Sequence, residues 1–256
     1  MSKDKIKPFF VKNAINSCYI DSLLVALFFS PSINDSLLKK DIAKDIIYLQ
    51  EYIKINFIEK IRQNISIDDE IVNIIRNLCV ENGWKIDYYD QQNICEFYFF
   101  LMDKLEAQLI ELKNGDRASL VTLSLENNTK ETSIKNILNN TQNITLNNYP
   151  DLLVFYLDRF DKIERNTINI LIQKRISPFE KQFLIHKPIW EFHSAICHQG
   201  DNLREGHYYS LIYHNNNYYI FDDFMIPCFR EIKMNDENVT NMIKKDCILI
   251  FYKYVS

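Results

Sequence analysis

The apolar residues of this 256-residue chain change their period once, and that change limits the architectures open to it. From Cys18 to Phe29, Ile20, Leu23, Leu24, Leu27 and Phe28 recur at helical spacing; Asn16 or Ser17 can cap, and Pro31 ends the pattern. The same spacing runs through Asp41–Ile61 and Ser66–Val80, the second opened by a Ser66 cap with acidic residues in its first turn. A fourth helix, capped by Asp90, passes through Glu96, Phe97, Leu101, Leu105 and Leu109 and fades at the turn signal Lys113-Asn-Gly115. Leu120–Leu125 then alternates as a strand does. Residues 126–148 form an Asn- and Thr-rich connection, expected to be mobile, around a short helix at Ile134–Leu138. After Pro150 the segments 152–157, 168–172, 206–213, 218–221 and 247–252 are rich in β-branched and aromatic residues. Helices first and strands later predict an α+β fold with a cleft between lobes, not alternating βαβ units. The expectation is one domain over 1–256, with a helical lobe over about 1–115 and a β-rich lobe over 116–256.

Composition excludes several classes. A formal net charge of −4 and no basic run argue against nucleic acid or an anionic membrane as the main partner, and suit a basic peptide better. The N-terminus Met1-Ser-Lys-Asp-Lys-Ile-Lys-Pro8 has no apolar segment behind it, and no apolar run reaches membrane-spanning length. The protein is therefore expected to be soluble and cytoplasmic. Six cysteines, at 18, 79, 95, 197, 228 and 247, include no Cys-x-x-Cys pair, so reduced thiols are expected, with no zinc ribbon and no disulfide framework. Sequons at Asn127, Asn139 and Asn143 read as chance products of an Asn-rich chain. Cys197-His198 with His193 offers thiol and imidazole ligands but lacks metal-ligand spacing.

Three residues point to nucleophilic chemistry. Cys18 falls in the first turn of its predicted helix, where the partial positive charge favours thiolate. Residues 206–213 and 218–221 flank His214-Asn-Asn-Asn217, which predicts an antiparallel hairpin with its turn in the Asn run. Counting back from that turn sets His207 roughly opposite Asp222, so strand pairing alone joins a base to a carboxylate that orients it, with Asp223 as the alternative. A Cys18–His207 ion pair is the expected resting state. The Cys18 backbone amide and Asn13, in the loop entering the helix, are candidate donors to an oxyanion. Cys79, Cys95, Cys228 and Cys247 lie on apolar faces and read as core.

Four ordered segments carry a resemblance. Asn13–Phe29 resembles the Cys box of the ubiquitin-specific protease family, and Asp90-Gln-Gln-Asn-Ile-Cys-Glu-Phe97 resembles its Gln-Gln-Asp-Ala-x-Glu-Phe segment. Tyr149-Pro-Asp-Leu-Leu-Val-Phe-Tyr-Leu-Asp-Arg-Phe160 is similar to its Leu-x-Arg-Phe strand, and His198-Gln-Gly, Gly206-His-Tyr and Phe221-Asp-Asp to its His box. The resemblance implies a papain-like fold with a helical thumb and an antiparallel β palm. It implies Cys18 as nucleophile, His207 as general base, Asp222 as orienter and Asn13 as oxyanion donor. It also implies that Gln92, Glu96, Gly206 and Tyr208 bind the substrate tail. The departures are Ile15 for a Gly, Asp21 for an Asn, Val25 for a Gln and Asn93 for an Asp. The stretch 107–148, where the family carries zinc-ribbon fingers, contains no cysteine, so fingers reduced or absent, and no metal or cofactor, are expected.

The activity implied is a thiol isopeptidase, cleaving after the C-terminal glycine of ubiquitin or a ubiquitin-like modifier through a Cys18 thioester. Two alternatives stand beside it: a module that binds the modifier without turnover, and a papain-like protease acting on ordinary peptide bonds.

Overall fold

A computed structural model describes residues 6–86, 91–112, 115–125, 130–140, 146–160, 165–177, 188–202 and 205–255. Its N-terminal half is helical: α1 (Cys18–Phe28), a 3-10 turn at Ile33–Leu38, α2 (Lys44–Tyr52), a π-helical stretch Ile53–Ile58 leading into α3 (Glu59–Arg62), α4 (Asp69–Glu81) and α5 (Ile94–Lys104). Then follow β1 (Ile110–Glu111), β2 (Arg117–Ala118), β3 (Val121–Ser124), β4 (Glu131–Ser133) and α6 (Ile134–Asn140). The remainder is β5 (Leu152–Asp158), β6 (Asn169–Leu171), β7 (Arg175–Ile176), β8 (Trp190–Asn202), β9 (Glu205–His214), β10 (Asn217–Phe221), β11 (Phe229–Ile232), α7 (Glu237–Asp246) and β12 (Cys247–Tyr254).

The expected α+β architecture is present, with corrections of detail. The N-cap of α4 is Asp68 and not Ser66, whose hydroxyl instead accepts the Phe10 N–H at 3.2 Å. Asn93 caps α5 by accepting from the Cys95 N–H, whereas Asp90 lies outside the described residues. That helix ends at Lys104, leaving Leu109 half exposed beyond it. Of the three sequons, only Asn139 falls within a described element, α6.

The main sheet runs β11-β10-β9-β8-β12-β5-β3, with β7 on β8. It is antiparallel except for the parallel pair β3–β5, so the palm is a mixed sheet and not a purely antiparallel one. Apolar residues alternate between its faces. Along β12, Leu249 and Phe251 join the helical core, whereas Ile250 and Tyr252 join a second core with Phe155 and Leu211 under α6 and α7. Among the described residues, the cysteine-free segment between α5 and β5 supplies β1–β2, β3, β4 and α6; no finger extension is evident.

Helix α1 is buried on every side, as its near-continuous apolar sequence requires. A helix with no solvent face cannot be located by amphipathicity alone, and here hydroxyls fix it to the sheet. Ser22 Oγ donates to the Tyr208 carbonyl at 3.0 Å, Ser210 Oγ to the Ser22 carbonyl at 2.7 Å, and Ser194 Oγ to the Ala26 carbonyl at 2.6 Å. Helix α1, which Cys18 opens, and the His207 strand are thereby held in one register.

Candidate active site

Cys18 is the first residue of α1 and 4% exposed. The loop before it is shaped by Asn16, which takes the left-handed conformation (φ 55°) that asparagine tolerates. Ile15, standing where the family has glycine, has no positive φ, so its side chain costs no backbone strain and projects 79% exposed. Buried Arg76 on α4 donates to the Ile15 carbonyl at 2.6 Å and anchors the loop. Ser17 occupies the N-cap position, but its hydroxyl does not cap. It accepts the Ala14 N–H and donates to Asp21 Oδ2 at 2.8 Å.

His207 arrives by strand pairing, as expected, through a tight turn at Asn215 and Asn216, both of positive φ. The register differs from the expected one. Phe221 pairs with Ser210, so Asp222 continues opposite Tyr209 and reaches His207 diagonally, not directly. The reach suffices: His207 Nε2 lies 2.8 Å from Asp222 Oδ1 and 3.6 Å from Asp223 Oδ1. An ionised carboxylate only accepts, so Nε2 carries the hydrogen and Nδ1 is left as the basic nitrogen; Nδ1 is buried with no hydrogen-bond partner. Phe224 stacks on the imidazole with centroids 4.0 Å apart and planes at 9°, and its N–H donates to the same Asp222 oxygen at 3.1 Å. Gly206 (φ 136°) is required by close approach, since a Cβ there would meet the Gln199 carbonyl at 2.4 Å.

The two halves meet through shared neighbours. The Tyr208 backbone, next to His207, reaches the Cys18 thiol, and the Asn13 amide donates to Asp223 Oδ2. An amide facing a carboxylate must present its NH2, so one Asn13 N–H is held by Asp223 and a second remains. Gln91 Nε2 stands 3.9 Å from Cys18 Sγ. The resemblance implied a role for Gln92 and none for Gln91, yet Gln91 is the glutamine at the thiol.

Electrostatics correct the expected resting ion pair. Burial pushes the Cys18 thiol up to about 12, the Asp223 and Asp21 charges add to the rise, and the Tyr208 backbone and Gln91 only partly oppose it. The resting sulfur is therefore a protonated thiol at neutral pH. Burial also raises Asp223 and, further, fully buried Asp21, to which the Asp223 charge adds. Asp222 moves down: burial works against its charge, but the His207 hydrogen bond and charge, the Phe224 N–H and the Arg230 charge together outweigh it.

The remaining candidates separate. Tyr208 is fully buried with its ring against His198 at 4.6 Å, so its side chain is packing and does not face a substrate in this state. Gly206 and Glu96 are exposed, and Gln92 is half-buried. Cys197 and His198 sit in successive positions of β8 and point to opposite faces, Cys197 into the second core and His198 against Phe160. Among the described residues the one group of three or more ligand-type side chains with atoms within reach of one another is His207, Asp222 and Asp223. Hydrogen bonds to the imidazole and to Asn13 occupy two of those carboxylate oxygens, an arrangement for moving protons. All six cysteines are free and buried. No helix among the described residues is long and apolar enough to cross a membrane.

No curated protein matches the chain. Solved structures share its fold, and two of them are similar along the whole of this chain. One is described as the SAGA DUB module Ubp8/Sgf11/Sus1/Sgf73 bound to monoubiquitin (TM-score 0.70, 13% identity, covering 100% of this chain and 73% of that one). The other is the SAGA Ubp8/Sgf11/Sus1/Sgf73 DUB module bound to ubiquitin aldehyde (TM-score 0.70, 14% identity, covering 100% and 71%). The family model described as ubiquitin carboxyl-terminal hydrolase matches residues 11–252. A chain that this family model matches over nearly its whole length belongs to the ubiquitin carboxyl-terminal hydrolase family.

Proposed function

We propose that this protein is a thiol isopeptidase that hydrolyses the bond after the C-terminal glycine of ubiquitin or a ubiquitin-like modifier. The observation that carries the reading is the imidazole of His207, oriented by Asp222 at 2.8 Å with Nδ1 left basic, in a family fold that opens α1 with Cys18. Solved proteins of the same fold are described with ubiquitin and with ubiquitin aldehyde bound, which supports ubiquitin as the modifier.

His207 Nδ1 takes the thiol proton as Cys18 Sγ attacks the glycine carbonyl carbon. The oxyanion accepts from the Cys18 backbone N–H, which as a first-turn amide has no intrahelical acceptor, and from the second N–H of Asn13. Collapse expels the lysine amine, which takes the proton from His207 and leaves a thioester on Cys18. Water, deprotonated by His207, then hydrolyses the thioester. Gln92, Glu96 and Gly206 serve the substrate tail. Because the thiol is protonated at rest, the proton moves during attack and no stored ion pair is spent.

Wild-type protein should cleave a C-terminal ubiquitin conjugate and be labelled at Cys18 by an electrophilic ubiquitin probe, and Cys18→Ala should fall to background. Cleavage by Cys18→Ala would defeat the reading. In a substrate panel, cleavage of plain peptides alone would select an ordinary peptidase. A second reading, modifier binding without turnover, is favoured by the buried, upward-shifted thiol. Tight ubiquitin binding with no cleavage under reducing conditions would select it.

A further inference from the structure

Asp21 stands in the first turn of α1, fully buried, where the family has an asparagine. One of its oxygens accepts from Ser17, whereas Oδ1 is inaccessible and has no donor. Asp223 is in the same position: Oδ2 accepts from Asn13, and Oδ1 is inaccessible with no hydrogen-bonding donor, the His207 Nε2 remaining at 3.6 Å. Asp223 is the neighbouring carboxyl whose charge and side-chain contact raise Asp21. Two ionised carboxylates can only accept, so facing each other in a dry site they repel and leave both oxygens unsatisfied. One proton removes both defects at once. It converts one oxygen into a donor aimed at the other and deletes one of two adjacent buried charges.

The environment decides who holds the proton. Asp223 receives the Asn13 amide and lies beside His207, both of which favour its charged form. Asp21 has only the Ser17 hydroxyl and the Arg76 charge in its favour, against complete burial. A neutral carboxylic acid presents an O–H where asparagine presents an N–H, so the acid takes up the donor role of the residue it replaces.

We propose that Asp21 is a proton-carrying positioning residue, whose carboxyl O–H donates to Asp223 and so fixes the carboxylate that holds Asn13. Asp21 touches no reacting atom. Its effect passes through Asp223 to the amide expected to receive the oxyanion. The titratable and charged groups facing it are Asp223 beyond β10, Arg76 on α4, Cys18 on its own helix and Cys228 before β11, with His207 one residue further through Asp223. As pH rises and the proton leaves, Asp21 becomes a second buried negative charge beside Asp223 and near the Cys18 thiol. Asn13 then loses its anchor as the sulfur becomes harder to ionise.

The test compares wild type with Asp21→Asn, which keeps a donor but cannot lose it, and with Asp21→Ala. Infrared difference spectroscopy at neutral pH should show a protonated carboxyl C=O band in wild type that is missing from Asp21→Asn. The thermal midpoint of Asp21→Asn should exceed that of wild type by a margin that widens as pH rises. Only the kinetic arm rests on the isopeptidase reading. There Asp21→Ala should lower kcat more than it raises KM, approaching the roughly 10²-fold loss of an oxyanion donor. Asp21→Asn should restore kcat relative to Ala and move the alkaline limb upward. A band that persists in Asp21→Asn, or midpoints with parallel pH dependence, overturns the proposal even where Asp21→Ala does not fold. An inactive protein with the band present refutes the activity and leaves the shared proton standing.

Discussion

Phe224 shows how much a single residue beside the proposed Cys18, His207 and Asp222 set controls. Its ring lies flat on His207 at 4.0 Å and its N–H shares Asp222 Oδ1 with the imidazole, so one residue restrains both the base and its orienter. The ring is nevertheless 65% exposed, and Ile226 just beyond it is 92% exposed, so packing from behind does not hold the loop in place. The stack adds to the backbone hydrogen bonds that close the loop, from Asp222 N–H to the Cys228 carbonyl and from Met225 N–H to the Asp222 carbonyl, and an aromatic pair of this kind contributes about 0.5–1.5 kcal/mol. Phe224→Ala should therefore lower kcat/KM on a ubiquitin conjugate by about 2- to 10-fold, with Phe224→Tyr close to wild type. Wild-type kcat/KM in Phe224→Ala would mean that Asp222 alone holds the ring.

At the scale of elements, Arg159 does for the strands what the serines do for α1. Fully buried at the end of β5, it donates to the carbonyls of Cys247 at 2.6 Å, Ile168 and Lys244 at 2.8 Å and Asn166 at 3.0 Å, tying β5 to the α7–β12 junction. Arg159→Met keeps much of the stem but leaves several buried carbonyls without donors, each costing about 1–3 kcal/mol. A loss of at least about 3 kcal/mol in urea unfolding is expected, and a loss under about 1 kcal/mol would show that water or a shifted β12 replaces the guanidinium. The sequence marked this residue only through a family motif, and it marked other elements unevenly for the same kind of reason. Helix α1, β5, the β9–β10 hairpin and β12 were legible because their apolar or turn residues follow the backbone period. Strand β8 was not: from Phe192 to His198 it is buried on both faces, and His193 and Ser194 are buried because α1 carbonyls accept from or pair with them. Polarity that reads as loop is polarity satisfied by another element. Helix α7 buries only Ile243 and Asp246, too few to register as a period, although Asp236 caps it as its position before Glu237 allows. In the site, hairpin logic found His207 and Asp222, but Gln91, Arg76 and Phe224 are placed by tertiary contacts that no local spacing encodes.

Across the whole molecule, buried titratable groups set the pH range of stability, and their signs oppose one another. His193 and His198 are buried and their pKa is depressed from 6.5 to about 4, by burial first in each case. A base whose folded pKa is lowered is uncharged in the native state and charged in the unfolded one. Stability is then complete above about 6.5 and falls as pH drops toward about 4. Each histidine contributes a slope of about 1.4 kcal/mol per pH unit in that window. The Asp21–Asp223 pair acts the other way. Its raised pKa means that stability is lost as pH climbs above the ordinary carboxylate range and through the folded value. Between pH 4 and 6.5 two histidines outweigh one shared proton, so stability rises; above 6.5 the histidine slope ends, and whatever carboxyl and thiol slopes act there only lower it. Cys18, Cys79 and Cys228, each pushed from 9.0 to about 12 by burial, steepen the decline once free thiols would ionise. Urea unfolding from pH 4 to 10 should therefore give a maximum near neutrality, with an acid limb flattened in His193→Gln or His198→Gln and the first part of the alkaline limb flattened in Asp21→Asn. A stability that stays level from pH 4 to 6.5, or that keeps rising through pH 8, would show that these buried groups find water in the native state and do not carry the charges that the fold assigns them.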